Sequence, residues 1–246
     1  MSQNLNTFDI DTSAAAAGAT ATDPRGEVEN PEELPLLVLA SASPGRAKVL
    51  TDAGIDFAVQ VSAVDEDAVL ARAVERFGEL GPADTALLLA KSKAEDVAAM
   101  EEADGAVVLG CDSVFEFDGV AYGKPYTAEV ATARWEAMSG KSGILHTGHW
   151  LIDNRSEEDG DGGSGATIGA VSSTTVNFES LDAGEIAAYV ATGEPLPCAG
   201  GFTIDGRGAA FIRGIEGNPH TVIGLNVSTL RELLAEAGLS ISDVWV

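Results

Sequence analysis

Short apolar runs alternate with helical stripes along most of this chain. Leu36-Leu37-Val38-Leu39-Ala40 is a continuous apolar run of the kind a buried strand makes. Ser41-Ala42-Ser43-Pro44 follows, with Ser43 placed to cap a helix and Pro44 at its first position. That helix carries Ala47, Val49, Leu50 and Ala53, and Gly54 ends it. Phe57-Ala58-Val59-Gln60-Val61 reads as a strand that leads into an acidic turn, Val64-Asp65-Glu66. Residues 82–100 form a helix with Leu87, Ala90, Ala94 and Val97 on one stripe. A strand at 106–111 and a hairpin at 114–122 come next, the hairpin turning at Asp118-Gly119.

The second half repeats this alternation. It predicts a helix over 128–138 stopped at Gly140, strands over 143–152 and 171–178, and a helix from Leu181 to Thr192 with Asp182 as its cap. A strand over 208–215, a helix over 227–237 closed by Gly238 and a short strand to Val246 complete the series. Such alternation predicts an α/β fold with a mixed, twisted sheet and flanking helices. No internal repeat is present.

Two stretches break the pattern. Residues 1–33 are rich in Ala, Thr, Asp, Asn and Glu, lack periodicity and read as a disordered extension before one domain at 34–246. Asn154 opens an acidic, glycine-rich run that reads as a surface insertion at about 154–166.

The chain has 246 residues, 45% of them hydrophobic, which is enough for a proper core. No run approaches the roughly 18 apolar residues that span a bilayer. The first residues lack a charged region followed by an apolar one, so no secretory signal is expected. Cys111 and Cys198 are too few for a disulfide framework, and the cytoplasm is the expected compartment. The net charge of −25 argues against nucleic acid and anionic membranes as partners. It does not argue against a phosphorylated ligand, because the five lysines (48, 91, 93, 124 and 141) fall in or beside the segments that carry candidate chemistry.

Leu109-Gly110-Cys111-Asp112-Ser113 follows the apolar run 106–108, so the strand is expected to stop at a carboxylate. Ligands of open α/β sheets bind beyond the carboxyl ends of strands, which makes Asp112 a candidate metal ligand, general base, or both. A turn cap is the alternative. Ser41, Ser43 and Arg46 at a strand-to-helix junction suit a phosphate, as do Lys93 and a rigidly held Lys124 in Gly123-Lys124-Pro125. An ordinary capped helix start explains the serines equally well. Asp65 and Glu66 can ligate Mg²⁺ or Mn²⁺, or can be a solvated turn.

Several motifs fail. Ser139-Gly140-Lys141-Ser142 resembles the end of a P-loop, but Trp135 stands where its first glycine belongs. The glycines at 160–165 follow no strand, the histidines lack zinc spacing, and no nucleophile elbow is present.

An ordered series of short motifs is more specific than any one of them. Leu39-Ala40-Ser41-Ala42-Ser43-Pro44-x-Arg46, Val61-Ser62-x-Val64-Asp65-Glu66, Leu89-Ala90-x-x-Lys93-Ala94, Gly110-x-Asp112 and Gly123-Lys124-Pro125 occur in order. They are followed by Ser139-Gly140, Thr147-Gly148, Tyr189-x-x-Thr192-Gly193-Glu194-Pro195, Ala199-Gly200-x-Phe202, Ile215-Glu216-Gly217 and Val222-Ile223-Gly224-Leu225. From about Leu36 to Gly238 the chain resembles the Maf family of nucleoside triphosphate pyrophosphatases. The resemblance implies two lobes around a central cleft. It also implies hydrolysis of a nucleoside triphosphate to the monophosphate and pyrophosphate with a divalent cation, clearing non-standard or modified nucleotides. Asp112 matches the family's proton acceptor, Ser41, Arg46, Lys93 and Lys124 its phosphate contacts, and Glu66 an acid near the metal. A homodimer is implied as well. A link of the family to septum formation keeps a second reading, a nucleotide-binding regulator of cell division without catalysis. The chain departs from the pattern at Gly45, where many members have an arginine, and at Cys198 and Asp205, which leave the preferred base open.

Overall fold

In the computed structural model, residues 35–156 and 162–246 are described. The expected extension at 1–33 and the middle of the acidic insertion lie outside them. Strand β1 (Leu37–Ala40) is buried along its whole length and pairs in parallel with β2 (Phe57–Val59) on one side and β3 (Val107–Phe117) on the other. From β3 the sheet continues antiparallel through β5 (Ser142–Asp153), β6 (Thr167–Phe178) and β7 (Ile212–Glu216). The order is β2-β1-β3-β5-β6-β7, and β4 (Val120–Tyr122) folds back on the end of β3. The expected mixed α/β sheet is therefore present. Asp118 and Gly119 take positive φ at the β3–β4 hairpin, as a type I′ turn requires.

The helices are α1 (Pro44–Asp52), α2 (Glu66–Phe77), α3 (Pro82–Ala98), α4 (Ala128–Met138), α5 (Ala183–Ala191), α6 (Pro219–Ile223) and α7 (Val227–Glu236). Ser43 caps α1 and Asp182 caps α5 in a reciprocal capping box with Glu185. Three apolar clusters fill the interior, one of which packs Val38, Ala40 and Val108 of the sheet against Ala94 and Val97 of α3. An aliphatic one joins Leu37, Leu39, Leu109 and Cys111 to Leu50 of α1 and Leu230 of α7. An aromatic one joins Phe115, Phe178, Phe202 and Tyr189 around Trp135 of α4. Along β3 the aliphatic and aromatic clusters meet between Cys111 and Phe115, so Asp112 and Ser113 sit at the seam.

Four expectations change. β3 does not stop at Cys111 but runs unbroken to Phe117, because β5 pairs with it from Val107↔Asp153 to Glu116↔Ile144. Asp112 is thus inside a strand. It faces a cleft because the parallel neighbour β1 ends at Ala40, opposite Gly110, leaving β3 to continue past it. The acidic turn at Asp65-Glu66 is the start of α2, with Asp65 accepting from the Ala68 amide as its cap. The strand expected over 208–215 begins only at Ile212, after a 3₁₀ turn over Arg207–Phe211. The chain closes with a 3₁₀ turn, Ile241–Val244, where a strand was expected; only Trp245 bridges to Ile55. Helix α6 was not anticipated.

One glycine fixes the distance between α3 and the sheet. Gly110 faces α3, and a Cβ there would run into the Ala90 carbonyl and lie 2.8 Å from the Ala94 nitrogen. Side chains two apart on a strand share a face, so Asp112 also faces α3. The close seat of that helix brings Lys93 onto Asp112. The spacing Gly110-x-Asp112 thus has a mechanical cause.

Candidate active site

Strand β1 delivers the chain to a tight turn, and α1 leaves it. Ser41 Oγ accepts from the Ser43 amide at 3.2 Å and from Arg46 Nη1 at 2.9 Å. Arg46 also donates from Nε to the Gly224 carbonyl at 2.8 Å and from Nη2 to Ser113 Oγ at 3.4 Å. It is buried, and no carboxylate forms an ion pair with it among the described residues. Every hydrogen-bond partner of this guanidinium among the described residues is neutral. A buried, unneutralised charge is costly; an anionic ligand would relieve it.

Lys93 lies between two acids. Its Nζ is 2.6 Å from Asp112 Oδ1 and 2.7 Å from Glu66 Oε1. The Lys93 and Asp112 side chains are each 12% exposed, whereas Glu66 is 46% exposed at the mouth of the site. Burial pushes the Glu66 carboxyl up, but the Lys93 bond and the charges of Lys93, Lys124 and Arg46 outweigh it, so the group lies below its ordinary value. Lys124 stands exposed on its turn, which is anchored where the Gly123 carbonyl accepts from Arg134 Nη1 at 2.5 Å and the Gly200 amide at 3.2 Å.

One cleft of about 550 Å³ gathers Ser41, Arg46, Glu66, Lys93, Asp112 and Lys124 in its lining. All six residues expected from the sequence are brought together. Asp65 is not among them, because its side chain is spent on the cap of α2; the paired-acid reading of Asp65 and Glu66 is corrected to Glu66 alone. The remaining lysines are engaged elsewhere: Lys48 with Asp52, Lys91 with Glu95 and over Trp150, and Lys141 over Phe117.

The acids suit a divalent cation of a particular kind. Lys93 occupies one oxygen of Glu66 and one of Asp112, and the second oxygen of each has no hydrogen-bond partner among the described residues. No cluster of three or more His, Cys, Asp or Glu side chains capable of holding a metal occurs among the described residues. Two carboxylates without a full cage fit a cation that shares its remaining positions with water and substrate phosphates, as Mg²⁺ commonly does.

The sequence reading missed what holds Arg46. Ser113 Oγ lies 3.0 Å from Thr147 Oγ1, and Thr147 donates at 2.7 Å to the Thr221 carbonyl. Asn226 Nδ2 donates to Thr221 Oγ1 at 3.3 Å and to Ser172 Oγ at 2.8 Å, while its amide donates to His149 Nε2 at 2.8 Å. The turn bearing Gly224 is thereby tied to the sheet. His149 is fully buried; burial, reinforced by the Arg46 charge, lowers its pKa to about 4. Cys111 and Cys198 are both free thiols, and burial pushes Cys111 up to about 12, which leaves it unreactive.

The wall formed by residues 197–205 differs in character. It contributes Cys198, Phe202, Thr203, Ile204 and Asp205 to the lining, with no cation.

A family model described as Maf-like protein matches residues 36–237. Proteins named nucleoside triphosphate pyrophosphatase are similar over most of the chain. One from Streptomyces coelicolor is 50% identical over 209 residues, covering 85% of this chain and 94% of the relative. One from Streptomyces avermitilis is 49% identical over the same shares. One from Thermosynechococcus vestitus is 45% identical over 207 residues, 84% of this chain and 96% of the relative.

Proposed function

This chain belongs to the Maf-like protein family, and from that premise we propose that it is a nucleoside triphosphate pyrophosphatase. The observation that carries the reading is the buried Arg46 guanidinium, which has no carboxylate partner among the described residues, in a cleft that also holds Lys93, Lys124 and two acids. Such a site calls for a polyanion, and a triphosphate supplies one.

The triphosphate lies toward the cations, and the nucleoside lies along the wall at 197–205. Asp112 accepts a proton from a water that attacks the α-phosphorus. The bond from the α-phosphorus to the bridging oxygen breaks, and the electron pair leaves with pyrophosphate. Arg46 and Lys124 meet the charge that builds on the leaving group. Lys93 has three N–H donors; Asp112 and Glu66 engage two, and the third is free for a phosphate oxygen. Ser41 accepts from Arg46 and from the Ser43 amide, so its own hydroxyl proton is free to donate. The second oxygens of Glu66 and Asp112 would hold Mg²⁺ or Mn²⁺, which when bound supplies charge neutralisation to the phosphates. Residues 34–246 act as the working domain, and the clearing of non-standard nucleotides is the role that this chemistry serves. Among the described residues no helix is long and apolar enough to cross a membrane.

The alternative of a non-catalytic regulator is not favoured: binding alone needs neither Asp112 nor its contact with Lys93. The test is a panel of ribo- and deoxyribonucleoside triphosphates with Mg²⁺, read as pyrophosphate and monophosphate formed. Release from at least one nucleotide, with both products in equal amounts, is expected. No release from any of them overturns the proposal.

A further inference from the structure

Glu194 lies outside the cationic cluster, yet four groups donate to its carboxylate. Oε1 accepts from Tyr189 Oη at 3.0 Å, Thr203 Oγ1 at 2.8 Å and the Gly208 amide at 2.9 Å, and Oε2 accepts from the Arg207 amide at 2.9 Å. Two successive backbone N–H groups thus close around an anion, as in the nests that bind free anions elsewhere. Here the anion is part of the chain. Burial pushes the Glu194 carboxyl up, but the two amides and two hydroxyls outweigh it, so the group lies below its ordinary value. The loop is moulded closely on these groups: a Cβ at Gly208 would lie 2.6 Å from both Tyr189 Oη and the Thr203 carbonyl. The Glu194 carbonyl in turn accepts from the Cys198 thiol at 3.4 Å. One residue therefore fixes both edges of the wall formed by residues 197–205.

That wall has no cation and carries the acid Asp205. A polyphosphate is repelled from it, so the nucleoside is the part of the substrate that meets it. We propose that Glu194 is a positioning residue for nucleoside selection: its caged carboxylate sets where Thr203 and Asp205 stand against the base and sugar, its backbone carbonyl holds Cys198, and it touches neither base nor sugar. The inference rests on the pyrophosphatase reading and adds to it a division of labour. The cations fix the phosphates, and an internal anion fixes the selectivity.

Glu194→Gln tests it. The amide NH₂ of glutamine must replace one carboxylate oxygen, and in either orientation it points a donor at a donor. The readouts are the ratio of kcat/KM between the two best nucleotides of the panel and the inhibition constant of inorganic tripolyphosphate, which has no base. The ratio should change by at least about tenfold, the scale on which misplaced polar contacts alter discrimination, while tripolyphosphate inhibits as in the wild type. Tyr189→Phe removes one of the four donors and keeps the ring packed on Trp135 and Phe211, so it should shift the ratio less and in the same direction. It carries the test alone if the glutamine variant does not fold. An unchanged ratio in a folded variant overturns the inference, and so does weakening of tripolyphosphate in step with every nucleotide. A wild-type chain that cleaves no triphosphate removes the functional reading and this inference together, a result visible before any variant is made.

Discussion

At the cationic end of the cleft, the working side chains are fixed by contacts between segments far apart in sequence: Arg46 with Gly224, Lys93 with Asp112, Ser113 with Thr147. At the opposite wall the ties are local, with Glu194 gathering Thr203, Arg207 and Gly208 around itself. The first end is a product of the sheet and of helices seated on it, and cannot move without disturbing the core. The second is a loop shaped on one carboxylate, anchored in the aromatic core at Phe202 and Tyr189 and open to change at Cys198, Thr203 and Asp205. Chemistry and selectivity are therefore assigned to parts of the molecule that differ in how freely they can change.

The largest effect is expected where the two ends differ most, at the reacting group. Asp112→Asn keeps the shape and a hydrogen-bond acceptor for Lys93 but loses the base. Turnover should fall at least about 10²-fold with nucleotide binding retained, as loss of general-base help predicts. Single-turnover rates and equilibrium titration check the two halves of that statement, and near-normal turnover would remove Asp112 from the role. Arg46→Lys comes next. A lysine cannot reach Ser41, Ser113 and the Gly224 carbonyl with one nitrogen. We expect kcat/KM to fall roughly 10- to 100-fold, the value of one or two charged hydrogen bonds, and tripolyphosphate inhibition to weaken alongside it. Substitution at Glu194 should leave that inhibition alone, so the pair of variants separates the two ends directly.

Gly110→Ala acts on the cationic end without touching a charge. Its methyl group would collide with the Ala90 carbonyl and press on Ala94, so α3 must lift from β3. Overpacking of this kind costs about 1–3 kcal/mol or more, which the urea midpoint reports. Lys93 should lose its hold on Asp112 as α3 lifts, and turnover should drop with the stability. A variant as stable and active as the wild type would show that α3 is not seated by this glycine.

These residues also show what the sequence made legible. Ser43, Pro44 and the Asp118-Gly119 hairpin were readable because caps and tight turns are decided by neighbours in the chain. Arg46, Lys93 and Lys124 stood out because cations are scarce in a chain of net charge −25. The length of β3 was not readable. Its polar interruption at Asp112-Ser113 looks like a strand end, and only the pairing with β5 carries it to Phe117. Helix α2 is not legible because Asp65, Glu66 and Asp67 resemble a solvated turn, and Ala73 is the only buried residue it contributes. The support for Arg46 depends on contacts among positions 113, 147, 221 and 224, and no local pattern reveals them. The Glu194 cage could have been suspected, since the motif containing Tyr189 and Glu194 was visible, but its four donors come partly from a loop with no signature of its own.

Acid provides the smallest and most selective test. His149 is buried beneath the cationic end, tied through the Asn226 amide to the Thr221–Thr147 network. Burial, and then the Arg46 charge, hold its pKa near 4, against 6.5 for an ordinary histidine. The unfolded chain therefore takes up a proton at about 6.5 and the folded chain resists until about 4, so stability is lost as pH falls through that window. Each pH unit within it costs about 1.4 kcal/mol. Glu194 shifts in the same direction but titrates in a more acid window: its stabilisation holds above the ordinary carboxylate value and is lost only as pH falls below it. The cationic end should loosen before the selective wall does. His149→Gln offers an acceptor to the Asn226 amide and cannot titrate. Urea unfolding of that variant at pH 6.5 and 5.5 should lose the wild-type slope, and an equal slope in both proteins would show that the acid sensitivity originates elsewhere.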